Sequence, residues 1–226
     1  MALARKTKKR TKRFEKKPVT GPKGSKNSKT RKPATSSQSP ERALQLEASK
    51  LAAVLRDQKT KLVLAESCTG GMAAAALAGI PGISEFLCGS FVVYRDASKS
   101  RWLGIDSALI EKHGAVSPET AEAMALQALE LTSEATIAAS ITGHLGPGAP
   151  SDQDGLIYIS VATSGRRKQG QTEVHELRLP PQSRVNAVQS TNSVKAMGLR
   201  RSRQMLASQQ ILRMVRALLT ASGNTV

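Results

Sequence analysis

From Ser39 onward the chain switches repeatedly between helical and extended spacing of its apolar positions. Leu44, Leu51, Ala52 and Leu55 recur at roughly helical intervals behind Ser39-Pro40, an N-cap followed by proline at the first helical position, so a helix opens the folded region there. Lys61-Leu62-Val63-Leu64-Ala65 is a short continuous apolar run followed by turn residues, as in a buried strand. Gly70-Gly71 then leads into Met72 to Ala78, an alanine-rich stretch of high helix propensity. Glu85 to Tyr94 is aromatic and β-branched enough for a central strand, and Asp96 to Leu103 and Ala108 to His113 predict short helices. Ser117-Pro118-Glu119 begins a helix running to about Leu131. Ala135 to Ile141 reads as a buried strand, ended by the glycine-rich segment Thr142 to Gly148. Two more strands, Gly155 to Thr163 and Thr172 to Leu179, pair across Ser164 to Gly170, and one or more helices occupy about Arg184 to Thr220. Strands alternating with helices and closed by a hairpin predict an α/β protein, a three-layer α/β/α sandwich with a mixed β-sheet.

Charge divides the chain. Residues 1–40 hold 14 Lys and Arg and one acid, Glu15, so they carry +13 of the formal +17, while the rest is an ordinary soluble composition. With Leu3, Phe14 and Val19 as its large apolar residues, this segment cannot bury enough surface to offset the entropy of ordering. The expected organisation is therefore a disordered basic tail over residues 1–38 and one domain over 39–226. Such a tail can neutralise phosphates and release counterions, which predicts salt-sensitive, nonspecific contact with nucleic acid; without interleaved aromatics it offers no stacking platform for bases. No apolar run follows the basic residues as in a secretory signal, and no stretch approaches a membrane span. The two cysteines, Cys68 and Cys88, fall inside core elements rather than in a zinc-binding spacing, and a reducing cytoplasm is the expected location.

The chemistry concentrates in three places. Glu66-Ser67-Cys68-Thr69-Gly70-Gly71 is a glycine-rich turn between a strand and a helix. There the backbone can approach a ligand, the helix presents unsatisfied N–H groups, and Ser67 and Thr69 add hydroxyls, with Glu66 at the same mouth. The plainer alternative is that the glycines only turn the chain and a hydroxyl caps the helix. Ser84, Tyr94 and Lys99 supply a second hydroxyl, a phenol and an amine. A serine becomes a competent nucleophile when a lysine takes its proton, but Ser84 and Lys99 flank a strand and meet only if a loop folds back over its end. The third place is Thr142-Gly143 and the turn beyond, whose N–H groups could serve as an oxyanion hole or a ribose contact. Of the three histidines, His113 reads as a helix C-terminal residue, His175 alternates within a strand, and His144 alone lies in this glycine loop. Arg200, Arg201 and Arg203 read as a solvated helix face, whereas Arg184, behind Ser183 near a helix start, could reach a phosphate.

AESCTGG at Ala65 to Gly71, PGISEF at Pro81 to Phe86, VVYRDASK at Val92 to Lys99, Leu103-Gly104, and HGAVSPETAEAMA at His113 to Ala125 together resemble the CinA C-terminal domain family over about Leu44 to Thr220. The family's best-understood activity is nicotinamide-nucleotide amidase. The resemblance implies hydrolysis of nicotinamide mononucleotide (NMN) to nicotinic acid mononucleotide and ammonia, in pyridine-nucleotide salvage, with neither metal nor cofactor. It places Ser84 on the family's nucleophile, Lys99 on its base and Tyr94 on the assisting phenol, with Ser67 as the competing nucleophile. Glu66, Ser67, Thr69, Gly70, Gly71, Thr142, Gly143 and Arg184 fall on substrate-binding positions. A compact domain with an apolar last helix implies a homo-oligomer. The chain departs from the family pattern after Thr142, where GHLGPGAPSDQDG stands in place of GIAGPGGG and a Lys-Pro-Val-Gly segment. This points to altered ligand choice, and the alternative function is a nucleotide-binding protein with altered or lost catalysis.

Overall fold

Ser39 accepts a hydrogen bond from the Arg42 N–H at 3.3 Å and Pro40 takes the first helical position, so helix α1 (Pro40–Asp57) begins where the sequence signals it. The structure is a computed structural model in which residues 39–164, 171–181 and 192–222 are described. The chain divides into Met1–Ser37 and Gln38–Val226. The expected basic tail, and Arg184 with it, lies outside the described residues.

After α1 come β1 (Leu62–Glu66), α2 (Met72–Ala78), a single 3-10 turn (Ile83–Glu85), β2 (Leu87–Val92), α3 (Asp96–Leu103), α4 (Ser107–His113) and α5 (Pro118–Leu131). Then follow β3 (Ile137–Gly143), β4 (Leu156–Thr163), β5 (Gln171–Arg178) and α6 (Asn192–Ser222). One sheet runs in the order β2-β1-β3-β4-β5, parallel across β2, β1 and β3 and antiparallel across β3, β4 and β5. All five residues of β1 are buried, which is why its sequence is a continuous apolar run rather than an alternation. Leu62 and Leu64 pack with α1, α2 and α6 on one face, and Val63 and Ala65 pack with α3, α4 and α5 on the other. Helices thus cover both faces of a mixed sheet, the three-layer α/β/α sandwich that the alternation predicts.

Long-range packing fixes the last helix. Leu51 and Leu55 of α1 and Ile211, Leu212 and Val215 of α6 are fully buried in the first layer, each worth about 1.5–3 kcal/mol of transfer free energy. The Gln58 side chain donates to the Leu219 carbonyl at 3.0 Å, and Arg216 donates to Glu47 at 2.5 Å. Where β3 meets β4 the strands approach so closely that a Cβ on Gly143 would stand 2.6 Å from the Leu156 carbonyl oxygen.

Glu66, the last residue of β1, is completely buried. Its carboxylate accepts from the Thr69 hydroxyl at 2.7 Å, from the Ala73 and Ala74 N–H groups at 3.1 and 2.9 Å, and from the Ser90 hydroxyl at 3.3 Å. Ala73 and Ala74 belong to the first turn of α2, whose flanking residue Gly71 has φ of +89° and provides no side-chain cap. The carboxylate therefore does the work of an N-cap from outside the helix and matches its positive end. This corrects the expectation that the helix start is an open cradle for a ligand anion: the anion there is the protein's own. Glu66→Ala is expected to lower stability by about 2–4 kcal/mol by leaving these donors buried and unpaired, and Glu66→Gln by roughly half as much. Thermal unfolding followed by circular dichroism measures both; a Glu66→Ala protein as stable as the wild type would show that the carboxylate is not the helix anchor.

Candidate active site

Parallel strands β1, β2 and β3 all end at one edge of the sheet. The chain leaves β1 through α2 on one face and returns to β3 through α5 on the other, so a crevice opens between them, the usual ligand position in such sheets. A cavity of about 280 Å³ lies there, lined by Ser67 and Cys68 after β1, Tyr94, Asp96 and Lys99 after β2, Thr142 and Gly143 at the end of β3 with the loop to Pro150, and Arg200 of α6.

Ser67 is 7% exposed and held by its backbone, donating from N–H to the Ile141 carbonyl at 3.0 Å and accepting from the Gly70 N–H at 3.1 Å. Lys99 is 1% exposed although it is a lysine. With Leu103 it forms the buried side of α3, and its Nζ lies 3.3 Å from the Asp96 carboxylate. Among the described residues this is its one hydrogen bond, and Lys99 lines the cavity. Cys68 also lines the cavity, but burial pushes its thiol up to about 12, so at neutral pH it stays protonated and is a poor nucleophile.

The structure brings Ser67, Tyr94, Lys99, Thr142 and Gly143 together and separates the rest. Ser84 is exposed in the 3-10 turn before β2, at the opposite edge of the sheet. Six residues of strand, about 20 Å, lie between it and the cavity. Its turn cannot fold over, because neighbouring Ile83 is buried in the α1 layer and Arg56 donates to the Pro81 carbonyl at 3.3 Å. Ser84 therefore does not meet Lys99, and the hydroxyl that shares the cavity with the lysine is Ser67. Glu66, Thr69, Gly70 and Gly71 do not line the cavity either. Thr69 is 1% exposed and donates to Glu66, while Gly70 and Gly71, with φ of +63° and +89°, turn the chain. Their role is to hold Ser67 in place.

Thr142 donates its hydroxyl hydrogen to the Ala115 carbonyl at 2.7 Å, tying the end of β3 to the start of α5. His144 lines the cavity, whereas His113 ends α4 beside Glu119 at 3.2 Å and His175 sits on β5 beside Glu173 at 3.5 Å. Among the described residues no cluster of His, Cys, Asp and Glu could hold a metal ion, and no helix is long and apolar enough to cross a membrane.

Of the three arginines expected on a solvated face of α6, Arg201 is exposed, whereas Arg200 and Arg203 are not. Arg200 donates to the Gly146 carbonyl at 2.8 Å and to the Tyr94 hydroxyl at 2.6 Å, placing its guanidinium at the cavity mouth. Arg203 is 1% exposed and forks onto both oxygens of Asp154 at 2.6 and 2.7 Å, with a further hydrogen bond to the Pro180 carbonyl at 3.3 Å. The fork holds the Asp154 carboxyl below the usual carboxylate range. Its stabilisation is fully present above the unfolded value of about 3.9 and is lost as pH falls through the lowered folded value. The sequence signal for Arg200 is its spacing of three from Arg203 on one helix, but no local pattern names partners 49 to 106 residues away.

Residues 45–201 match the family model for the CinA C-terminal domain. CinA-like proteins of Myxococcus xanthus and Mycolicibacterium vanbaalenii are 42% identical over 113 residues and 44% identical over 121 residues. These matches cover 49% and 53% of this chain but 27% and 28% of those proteins, so the matched region is about a quarter of the length of the curated relatives. Among solved structures, the competence/damage inducible protein CihA from Agrobacterium tumefaciens superimposes with a TM-score of 0.65 at 27% identity, covering 78% of this chain and 95% of that one. A competence or damage-inducible protein from Enterobacter asburiae gives 0.63 at 26% identity, covering 78% and 98%. The chain belongs to the CinA C-terminal domain family.

Proposed function

We propose that this domain is a nicotinamide-nucleotide amidase that hydrolyses NMN to nicotinic acid mononucleotide and ammonia, with Ser67 as nucleophile and Lys99 as general base. The observation that carries this reading is that a buried serine and a buried lysine line one cavity at the carboxyl ends of the parallel strands. A serine hydroxyl needs a neighbouring base, and a buried lysine amine can serve as one.

The acting form carries Lys99 as the neutral amine: Ser67 Oγ attacks the carboxamide carbon as its proton passes to the lone pair of Lys99 Nζ. The tetrahedral intermediate collapses as the C–N bond breaks and Lys99 returns the proton to the departing nitrogen, releasing ammonia. Water, deprotonated by the same amine, then cleaves the ester, giving the pyridine carboxylate and restoring Ser67. Backbone N–H groups of the Ser67 turn and of the loop from Leu145 to Gly148 are the available donors for the oxyanion. The guanidinium of Arg200 spends one N–H on Gly146 and one on Tyr94, and its remaining donors suit the substrate's phosphate. Tyr94, 55% exposed at the mouth, is placed to touch the substrate rather than to fill the core.

Ammonia release from NMN tests the assignment. Ser67→Ala and Lys99→Met are each expected to lower kcat/KM by at least about a thousandfold, and Ser84→Ala to stay within about twofold of the wild type. Loss of activity in Ser84→Ala with retention in Ser67→Ala would overturn the nucleophile. Binding of NMN to the wild type without ammonia release would replace the enzyme with a nucleotide-binding protein. Iodoacetamide at neutral pH is expected to leave both turnover and the mass of the Cys68 peptide unchanged, because that thiol stays protonated and buried; rapid inactivation with alkylation of Cys68 would show that the thiol is reactive.

A further inference from the structure

The cavity wall between β3 and β4 is held by charges that do not themselves line the cavity. Arg203 and Asp154 meet behind Gly146, which has φ of +61°. A Cβ at Gly146 would stand 2.9 Å from both the Arg203 guanidinium and the Asp154 carboxylate, so the fork lies directly against this residue's backbone. On its other side the Gly146 carbonyl accepts from Arg200, which also donates to Tyr94. The fork is anchored in turn: Arg203 donates to the Pro180 carbonyl, and Gly155, next to Asp154, approaches the Leu179 carbonyl closely enough that a Cβ would stand 2.7 Å away. One contact path therefore runs from the β4–β5 side of the sheet through Arg203, Asp154 and Gly146 to the single cation at the cavity mouth among the described residues that is not itself buried, Arg200.

We propose that the Arg203–Asp154 fork is the positioning device of an anion subsite, setting through Gly146 where Arg200 presents its guanidinium and so selecting phosphate-bearing over phosphate-free substrates. This rests on reading the cavity as a nucleotide site, but not on turnover. The physical reason is preorganisation. A surface arginine has many rotamers to lose on binding an anion, whereas one already held at two points by a fixed carbonyl and a phenol loses few. The Arg203 half of the fork is buried and both Asp154 oxygens are hydrogen-bonded to it, which makes Gly146 a rigid support rather than a loop tip. It also answers the acidic departure of the glycine loop, since the Asp154 charge is matched by Arg203 and does not face the cavity unpaired.

The test measures binding in Ser67→Ala, where no substrate is consumed, by titrating NMN and nicotinamide riboside, which lacks the phosphate. NMN is expected to bind at least about tenfold more tightly than the riboside; equal binding would overturn the subsite. In Ser67→Ala carrying Asp154→Leu and Arg203→Met, which removes both charges together and leaves neither unpaired, the preference is expected to fall to within about threefold while riboside binding is unchanged. A folded protein that keeps the full preference, or one that loses riboside binding equally, would overturn the positioning role. If that variant does not fold, Asp154→Asn, whose amide oxygen still accepts from Arg203, is expected to reduce the preference about threefold, and no reduction would overturn it. In the active protein the same Asp154→Asn change should raise KM for NMN and leave kcat within about twofold. A preference that is present and lost as described, in a protein that releases no ammonia, would reject the amidase and keep the subsite.

Discussion

A carboxylate with no contact with solvent is stable only where donors surround it, and much of this domain is arranged around one such group. The Glu66 side chain gathers α2, the turn after β1 and β2 onto the end of the central strand. Apolar packing alone leaves a strand free to end in several ways, because burial does not specify direction. A fixed set of hydrogen bonds does specify it, and here the consequence is that Ser67, one residue further on, has its backbone fixed before any ligand arrives. The signature turn thus divides its labour. Glu66, Thr69 and the two glycines make the shape, and Ser67 is what the shape displays.

Most of the architecture was legible in the sequence because it depends on local signals. Ser39-Pro40 and Ser117-Pro118 mark helix starts where Ser39 and Ser117 do cap α1 and α5, and the apolar run at Leu62 does form the central strand. The strand expected to begin at Glu85 begins at Leu87, since Ile83 to Glu85 close a 3-10 turn first, and the last helical region is described as one helix from Asn192. Its preceding residues lie outside the described ones.

The site was legible in part, and the misses share a cause. Ser67, Tyr94, Lys99, Thr142 and Gly143 are gathered because each lies at or just past the carboxyl end of a parallel strand, or on the segment that leaves it, and the sequence shows those strand ends. Ser84 was misplaced because it precedes its strand, and the two ends of one strand are far apart even though they are near in sequence. Glu66 and Thr69 were read as ligand contacts because a polar residue at a strand end looks the same whether it faces a ligand or a helix start. Arg200 and Arg203 were read as solvated because their partners, Tyr94, Gly146 and Asp154, come from loops that no helical period can reveal.

Helix α6 begins beside the cavity and ends against α1, where Gln58 and Glu47 hold its last turns. During synthesis Ser67, Lys99 and three parallel strands emerge before the segment that presents Arg200. The last wall of the cavity therefore waits for the final helix to close on the first one, and a chain released before residue 200 would carry the serine and the lysine without the Arg200 guanidinium beside them.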